Sequence, residues 1–217
     1  MFSLAAFERE YETEKQPITI AGRKFEFYTP RTLDPFIPSS GSISEFPLWA
    51  KIWQGAVVLA DYFARMPVPE NAGRLLEIGA GIGVAGVVAA ARGYSVTITD
   101  YNPHALKFAQ ANAVVNQCAN CVVRRLDWSR PDLPEHYETI IGTEIIYKED
   151  SIQRIKHLFE AYLEPEGRII LAEEPRKTLP EFYRQMAEGF DIRIEKKMLR
   201  SAEEQFRLYL IHMRFKP

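Results

Sequence analysis

A glycine-rich turn between an apolar strand and a run of small residues constrains the fold of this 217-residue chain more than any other feature. Residues 74–83 read RLLEIGAGIG, and residues 84–93 read VAGVVAAARG. Glycine is required where the backbone takes a positive φ or comes within contact distance of a ligand. Gly79, Gly81 and Gly83 therefore predict a tight strand-to-helix turn, the first half of a βαβ unit, which either binds a ligand or only packs closely.

Strand-like and helical segments alternate along the rest of the chain. After the glycine turn, strands are predicted over residues 94–99, 121–126, 138–146 and 167–174, and helices near 103–116, 151–162 and 179–188. Residues 191–199 and 206–215 have the pattern of paired antiparallel strands. This order predicts an α/β fold: a Rossmann-like, mostly parallel seven-stranded sheet with helices on both faces and an antiparallel C-terminal strand pair.

The first forty-five residues differ from the sheet-forming part. Two alternating segments flank Ala21-Gly22, which predicts a β-hairpin, and a cluster of proline, serine and glycine follows over residues 35–42. We predict an N-terminal hairpin or lid extension over residues 1–45 and one catalytic domain over 46–217. A helix over residues 49–66 is expected to precede the main sheet.

Composition and charge restrict the partners and the compartment. The net charge is −2, which provides no general attraction to nucleic acid, and no apolar run approaches the ~20 residues that cross a bilayer. Cys118 and Cys121 are the chain's two cysteines, so neither a disulfide framework nor a four-cysteine zinc site is expected. We predict a cytoplasmic protein without metal, nucleic-acid partner or membrane segment.

Three acidic and aromatic residues follow the predicted strands where a nucleoside would bind. Asp100 ends the second strand, where a carboxylate accepts hydrogen bonds from ribose hydroxyls. Asp127 and Trp128 follow the third strand and would supply an acceptor and a ring surface for adenine. The alternatives are that Asp100 is only the polar end of a strand and that Trp128 is only a buried core residue. The third glycine of a dinucleotide fingerprint would fall on Val84, so the spacing disfavours a pyrophosphate ligand.

These segments resemble the class I, seven-stranded S-adenosylmethionine-dependent methyltransferases. The matching motifs are LEIGAGIG, ITDYNP and RLDW, and the segments IWQGAVVLADYF and TEIIYKED resemble the methyltransferase 16 group, which includes many protein lysine methyltransferases. The resemblance implies S-adenosyl-L-methionine as cofactor, with a cofactor-binding set and an acceptor pair. The implied cofactor-binding residues are Trp53, Glu77, Gly79, Gly81, Gly83, Asp100, Asp127 and Trp128. The acceptor pair is Glu144 and Tyr147, with Glu at a position where the family usually has Asp.

The implied chemistry needs few catalytic groups. A methyl group on a sulfonium is already activated, so the protein has to align an unprotonated nucleophile and exclude water. For a lysine acceptor, with a free pKa of about 10.4, the ammonium must first lose a proton. Glu144 would attract and orient this amine and Tyr147 would hydrogen-bond to it, unless the two are a surface charge and a packing residue. Glu173 and Glu174 would add negative potential at the entrance, where Arg176 could pair with one of them.

Several functions remain open at this point. The leading hypothesis is methylation of an accessible lysine in a protein substrate, and the nearest alternative is a small-molecule N-methyltransferase acting on an amine. Methylation of nucleic acid is disfavoured because T-E-I-I-Y stands where an N-P-P-Y or D-P-P-Y element is expected. From other classes, a noncatalytic nucleoside-binding module and an NAD-dependent oxidoreductase also remain. Neither the oligomeric state nor the role of the hairpin follows from the sequence.

Overall fold

A computed structural model describes residues 2–37, 46–67, 73–200 and 205–217. Within these residues the chain forms six α-helices and nine strands. The helices are α1 (Leu4–Glu10), α2 (Gln54–Arg65), α3 (Val84–Ala91), α4 (Pro103–Val115), α5 (Ile152–Tyr162) and α6 (Leu179–Met186). The strands are β1 (Thr13–Ile20), β2 (Arg23–Pro30), β3 (Arg74–Ile78), β4 (Ser95–Asp100), β5 (Cys121–Arg125), β6 (Tyr137–Thr143), β7 (Leu163–Glu173), β8 (Phe190–Arg200) and β9 (Gln205–Phe215).

Seven strands form the central sheet in the order β5-β4-β3-β6-β7-β9-β8. The pairs from β5 to β7 are parallel, and β9 runs antiparallel to both β7 and β8. One apolar cluster covers each face of the sheet, which explains why Leu75 and Leu76 of β3 and residues 169–172 of β7 are apolar and fully buried. The predicted fold class is therefore confirmed. The predicted proline and serine cluster and the β8–β9 connection lie partly or wholly outside the described residues.

The strand order reverses between β3 and β6, which defines where a ligand can bind. In open α/β sheets the crevice lies beyond the carboxyl ends of the strands at such a reversal. Residues 79–83 follow β3, and residues 144–147 follow β6. The topology therefore brings the glycine turn and the predicted acceptor pair to the same edge of the sheet.

The N-terminal segment packs on the helix α4 side of the sheet. The hairpin β1–β2 turns at Ala21 and Gly22, both with positive φ, as predicted. Helix α1 was not predicted, because its seven residues are too few to show a clear periodicity. Its Phe7 is 2% exposed and contacts Tyr28 of β2 and Phe108 of α4 at ring-centroid distances of 5.5 and 4.9 Å. The hairpin thus shares its core with the sheet.

Helix α2 begins later than the sequence pattern predicts. Its first residue is Gln54, whereas Trp53 is extended and a short 3-10 turn covers Leu48–Ala50. The indole N–H of Trp53 donates to the carbonyl oxygen of Leu48 at 2.7 Å, which stabilises a bend ahead of the helix. The apolar periodicity of residues 49–53 therefore reflects packing of this bend and not a helical turn.

Candidate cofactor and acceptor site

The glycine turn adopts backbone conformations and contacts that exclude side chains. Gly79, Gly81 and Gly83 have φ values of +60°, +56° and +80°. A Cβ atom at Gly79 would lie 2.9 Å from Cγ2 of Ile145, and one at Gly81 would lie 2.9 Å from the carbonyl oxygen of Trp49. The turn therefore requires glycine both for its left-handed backbone and for the close approach of neighbouring segments.

Asp100 is attached directly to this turn. Its Oδ2 accepts the backbone N–H of Gly81 at 2.8 Å, and its Oδ1 accepts the backbone N–H of Asn102 at 2.8 Å. Burial raises the pKa of Asp100, and the two N–H donors oppose this shift. Asp100, which was predicted to bind ribose, thus lies directly beside the glycine turn. Hydrogen bonds fix the orientation of both its carboxylate oxygens.

Glu77 lies beneath helix α3 and is 2% exposed. Its Oε2 accepts the backbone N–H of Gly86 at 3.0 Å, and burial raises its pKa to about 8. A Cβ atom at Gly86 would clash with this oxygen, so helix α3 can pack over the carboxyl group only with glycine there. Gly86 was not predicted as a site residue. The run of small residues in α3 was the feature of the sequence that could have indicated such close packing.

The two residues predicted to hold adenine have different surroundings. The ring of Trp128 stands against Gly79, since a Cβ there would lie 3.2 Å from Cζ2. Leu126 donates its N–H to the carbonyl oxygen of Asp100 at 3.0 Å, which places this segment beside the end of β4. The carboxylate of Asp127 accepts the backbone N–H of Ser129 at 2.8 Å, and this bond lowers the pKa of Asp127. A ring wall and an acceptor therefore flank the turn.

The segment before helix α2 covers the outer side of the glycine turn. The backbone of Trp49 contacts Gly81, while its ring packs on Phe36, His104 and Phe108. Trp53, predicted as a cofactor contact, lies next to this segment through its bond to Leu48. Trp49 was not predicted as a site residue, because an aromatic residue within an apolar segment is usually a core residue.

Glu144 has an unusual backbone and a nearly buried side chain. Its φ is +54°, a left-handed conformation that non-glycine residues seldom adopt, and its side chain is 7% exposed. Its Oε2 pairs with the guanidinium of Arg176 at 2.5 Å. Burial raises the pKa of Glu144 and Arg176 lowers it. We expected Arg176 to pair with Glu173 or Glu174, but its partner is Glu144.

Glu173 holds the turn on which Glu144 and Tyr147 lie. It is 0% exposed, and its Oε1 accepts the N–H groups of Ile145 and Ile146 at 2.8 and 3.3 Å. Burial, followed by the negative charge of Glu144, raises the pKa of Glu173 well above its usual range. The prediction that Glu173 lies at the entrance is therefore wrong, because the turn after β6 covers the end of β7.

Tyr147 lies on the open side of this turn and is 46% exposed. Burial of part of the residue raises the pKa of its phenol, and the negative charge of Asp100 adds to the shift. The Nζ of Lys148 stands 5.8 Å from its ring centroid. Tyr147 thus lies on the turn after β6, near enough to Asp100 at the end of β4 for the charge of Asp100 to raise its pKa.

Within the described ranges, no group of three or more His, Cys, Asp or Glu side chains is arranged to hold a metal ion. In the same part of the chain, no helix is long and apolar enough to cross a membrane.

Comparison with known proteins decides the family. The family model described as lysine methyltransferase matches residues 46–190, about two thirds of the chain. The chain belongs to this lysine methyltransferase family. Membership confirms the predicted resemblance and supports S-adenosyl-L-methionine as the cofactor, and the matched range contains every predicted site residue.

Individual relatives match the same part of the chain. Mouse EEF1A lysine methyltransferase 3 is 33% identical over 131 residues, which cover 58% of this chain and 56% of that protein. Zebrafish (Danio rerio) protein N-lysine methyltransferase METTL21A is 38% identical over 120 residues, which cover 50% and 55%. The matched region thus spans a little over half the length of these relatives.

Solved structures share the fold of this family member at low sequence identity. The P. horikoshii TYW2 structure in complex with MeSAdo has a TM-score of 0.60 at 16% identity and covers 94% of this chain and 72% of its own. A precorrin-6y C5,15-methyltransferase from Geobacter metallireducens also has a TM-score of 0.60, at 16% identity, covering 88% and 93%. Both show the class I methyltransferase fold.

Proposed function

We propose that this member of the family transfers a methyl group from S-adenosyl-L-methionine to the side-chain nitrogen of lysine in a protein. The observation that carries the proposal is the family match over residues 46–190. The geometry of the sheet edge supports it, because a glycine turn, an anchored Asp100 and the Glu144–Tyr147 turn face one crevice.

The cofactor half fits the residues present. Gly79 and Gly81 keep the turn free of side chains at the end of β3, and Asp100 lies beside it with one carboxylate oxygen on Gly81 and the other on Asn102. We propose that Asp100 accepts the ribose hydroxyls, with Asp127 and Trp128 at the adenine. The cofactor supplies a methyl group already activated on a sulfonium. Glu77, Gly83 and Trp53 shape this half by supporting the turn and the segment that covers it.

The acceptor half supplies a fixed negative charge and a phenol. Glu144 is held between Arg176 and the first turn of α2, and its Oε1 has no hydrogen-bond partner among the described residues. We propose that Glu144 draws the lysine ammonium to the crevice and that Tyr147 accepts its hydrogen bond. The strained φ of Glu144 supports a role in the chemistry, because such backbone conformations cluster at functional sites.

The substrate class comes from the relatives and remains a proposal for this chain. The names of the mouse and zebrafish relatives specify lysine in proteins, and EEF1A in the mouse case. A small amine is the alternative acceptor, and the two are separated by the experiment below. Neither nucleic acid nor membrane is expected to take part. A cytoplasmic location is likewise proposed, and the free thiols of Cys118 and Cys121 agree with a reducing compartment.

A labelling experiment tests the function. The purified chain is incubated with methyl-tritiated S-adenosyl-L-methionine and cell lysate, and labelled species are separated by size and identified by mass spectrometry. We expect label on lysine of one or a few proteins. Tyr147→Phe and Glu144→Gln should lower the labelling rate at least about tenfold, whereas Glu149→Gln, an exposed neighbour, should not. Label only in the small-molecule fraction would favour the alternative acceptor, and binding of the cofactor without any label would favour the noncatalytic module.

A further inference from the structure

One buried amide joins the N-terminal hairpin to the glycine turn. Asn112, on helix α4, is 0% exposed. Its Oδ1 accepts the backbone N–H of Tyr28 on β2 at 2.6 Å. Its Nδ2 donates to two carbonyl oxygens, that of Tyr28 at 3.3 Å and that of Ile82 at 2.9 Å. Both amide hydrogens and the amide oxygen are therefore used, and the side chain links three separate segments.

The Ile82 end of this link lies inside the glycine turn. Ile82 stands between Gly81 and Gly83, both in left-handed conformations. Asp100 holds the N–H of Gly81 from the β4 side, and Asn112 holds the carbonyl oxygen of Ile82 from the α4 side. The turn thus has two side-chain supports, and the sequence predicted neither, since Asp100 was expected only as a ribose ligand.

A second asparagine makes the same bond to the hairpin without reaching the turn. Asn116 lies one helical turn after Asn112, and its Oδ1 accepts the N–H of Glu26 at 3.1 Å. Its Nδ2 donates to the carbonyl oxygen of Glu26 at 2.7 Å and to that of Asn112 at 2.9 Å. The pair therefore separates attachment of the hairpin, which both residues provide, from support of the turn, which Asn112 provides.

We propose that Asn112 is a positioning residue for the cofactor turn, and that the N-terminal hairpin acts through it as a brace that sets the affinity for S-adenosyl-L-methionine. This inference rests on the proposed function, since it takes the turn to be the cofactor site. The hairpin then supports the site from behind instead of closing over it. Because coupling between two sites is reciprocal, bound cofactor must also tighten the attachment of β2.

Paired asparagine variants test the positioning role. Asn112→Ala and Asn116→Ala should both lower the melting temperature, because each loses its bonds to β2. At a temperature where both are folded, the Kd for S-adenosylhomocysteine, measured by titration calorimetry, should rise about tenfold for Asn112→Ala and stay within twofold of the parent for Asn116→Ala. In assays, Asn112→Ala should raise KM for the cofactor and leave kcat unchanged. Equal Kd values for the two variants would overturn the inference.

Hydrogen exchange of backbone amides in the unmodified chain provides a second test, which requires no substitution. Saturating S-adenosylhomocysteine should slow hydrogen exchange at the Tyr28 amide, read by NMR, by about tenfold, and slow it much less at Glu26. If the ligand binds and the Tyr28 amide exchanges at an unchanged rate, the brace does not exist. If S-adenosylhomocysteine does not bind the unmodified chain at all, the proposed function fails, which is a separate result.

Discussion

Glu77 belongs to the glycine-turn motif, and its carboxyl group is buried in the folded chain. The carboxyl group lies under helix α3 and accepts one N–H from Gly86. Besides burial, the negative charge of Asp100 contributes to raising its pKa. Burial raises its pKa to about 8, so at neutral pH much of it is protonated in the folded chain. In the unfolded chain it titrates near its ordinary pKa of about 4.3. Folding therefore takes up a proton at this position.

Substitution of Glu77 should change how stability depends on pH. The stabilisation that its proton provides is complete below the unfolded pKa of about 4.3, and it is lost as pH rises through the folded pKa of about 8. Glu77→Gln keeps an acceptor for Gly86 and cannot ionise. We expect the variant to gain stability relative to the parent as pH rises from about 5 to about 8, by roughly 1.4 kcal/mol for each pH unit.

Urea unfolding of the parent and of Glu77→Gln at about pH 5 and about pH 8 measures this change in relative stability. Glu166→Gln, which changes an exposed carboxylate, is the matched control and should show no comparable trend. A stability difference between Glu77→Gln and the parent that is the same at both pH values would show that Glu77 is ionised in the folded chain.

At the scale of elements, the start of helix α2 and the turn after β6 fit each other closely. The longer Glu side chain at 144 is accommodated because residue 55 has no side chain. A Cβ at Gly55 would lie 3.0 Å from Oε1 of Glu144 and 3.1 Å from the carbonyl oxygen of Ala172. Gly55 therefore lets the helix N-terminus, with its partial positive charge, approach the carboxylate.

A double-mutant cycle tests this fit. Alanine is favoured over glycine inside helices, so Gly55→Ala would stabilise α2 if the contact with Glu144 did not exist. We expect Gly55→Ala to destabilise the parent and to cost about 1 kcal/mol less in a Glu144→Asp background, where the side chain is shorter. Chemical denaturation of the four proteins gives the coupling free energy. Additive effects of the two substitutions would mean that the crowding comes from Ala172 alone.

At the scale of the whole molecule, the N-terminal segment belongs to the same packed unit as the sheet. Helix α1 and strand β2 contribute Phe7, Phe25, Phe27 and Tyr28 to the core cluster that also contains α3 and α4. The division at residue 45 remains a prediction about domain organisation. Physically, the aromatic contacts between α1 and α4 indicate that the two parts unfold together.

Removal of one aromatic ring tests this cooperativity. Phe7→Ala should lower the free energy of unfolding by about 3–5 kcal/mol, since it empties a packed site between α1, β2 and α4. Val122→Ala, at a position 50% exposed, is the control and should change it by less than about 0.5 kcal/mol. We expect one transition by both tryptophan fluorescence and far-UV circular dichroism. Two separated transitions would show that the extension is an independent unit.

What the sequence alone determined about this protein is local. Glycines at 79, 81 and 83, the apolar strands and Asp100 at a strand end depend on neighbours in the chain, so they were sufficient for the fold and one edge of the site. Tertiary structure alone decided that Glu173 is buried, that Arg176 reaches Glu144, and that Asn112 holds the turn. These partners lie 28 to 32 residues apart in the chain, and the burial that sets their pKa values exists only after the elements pack.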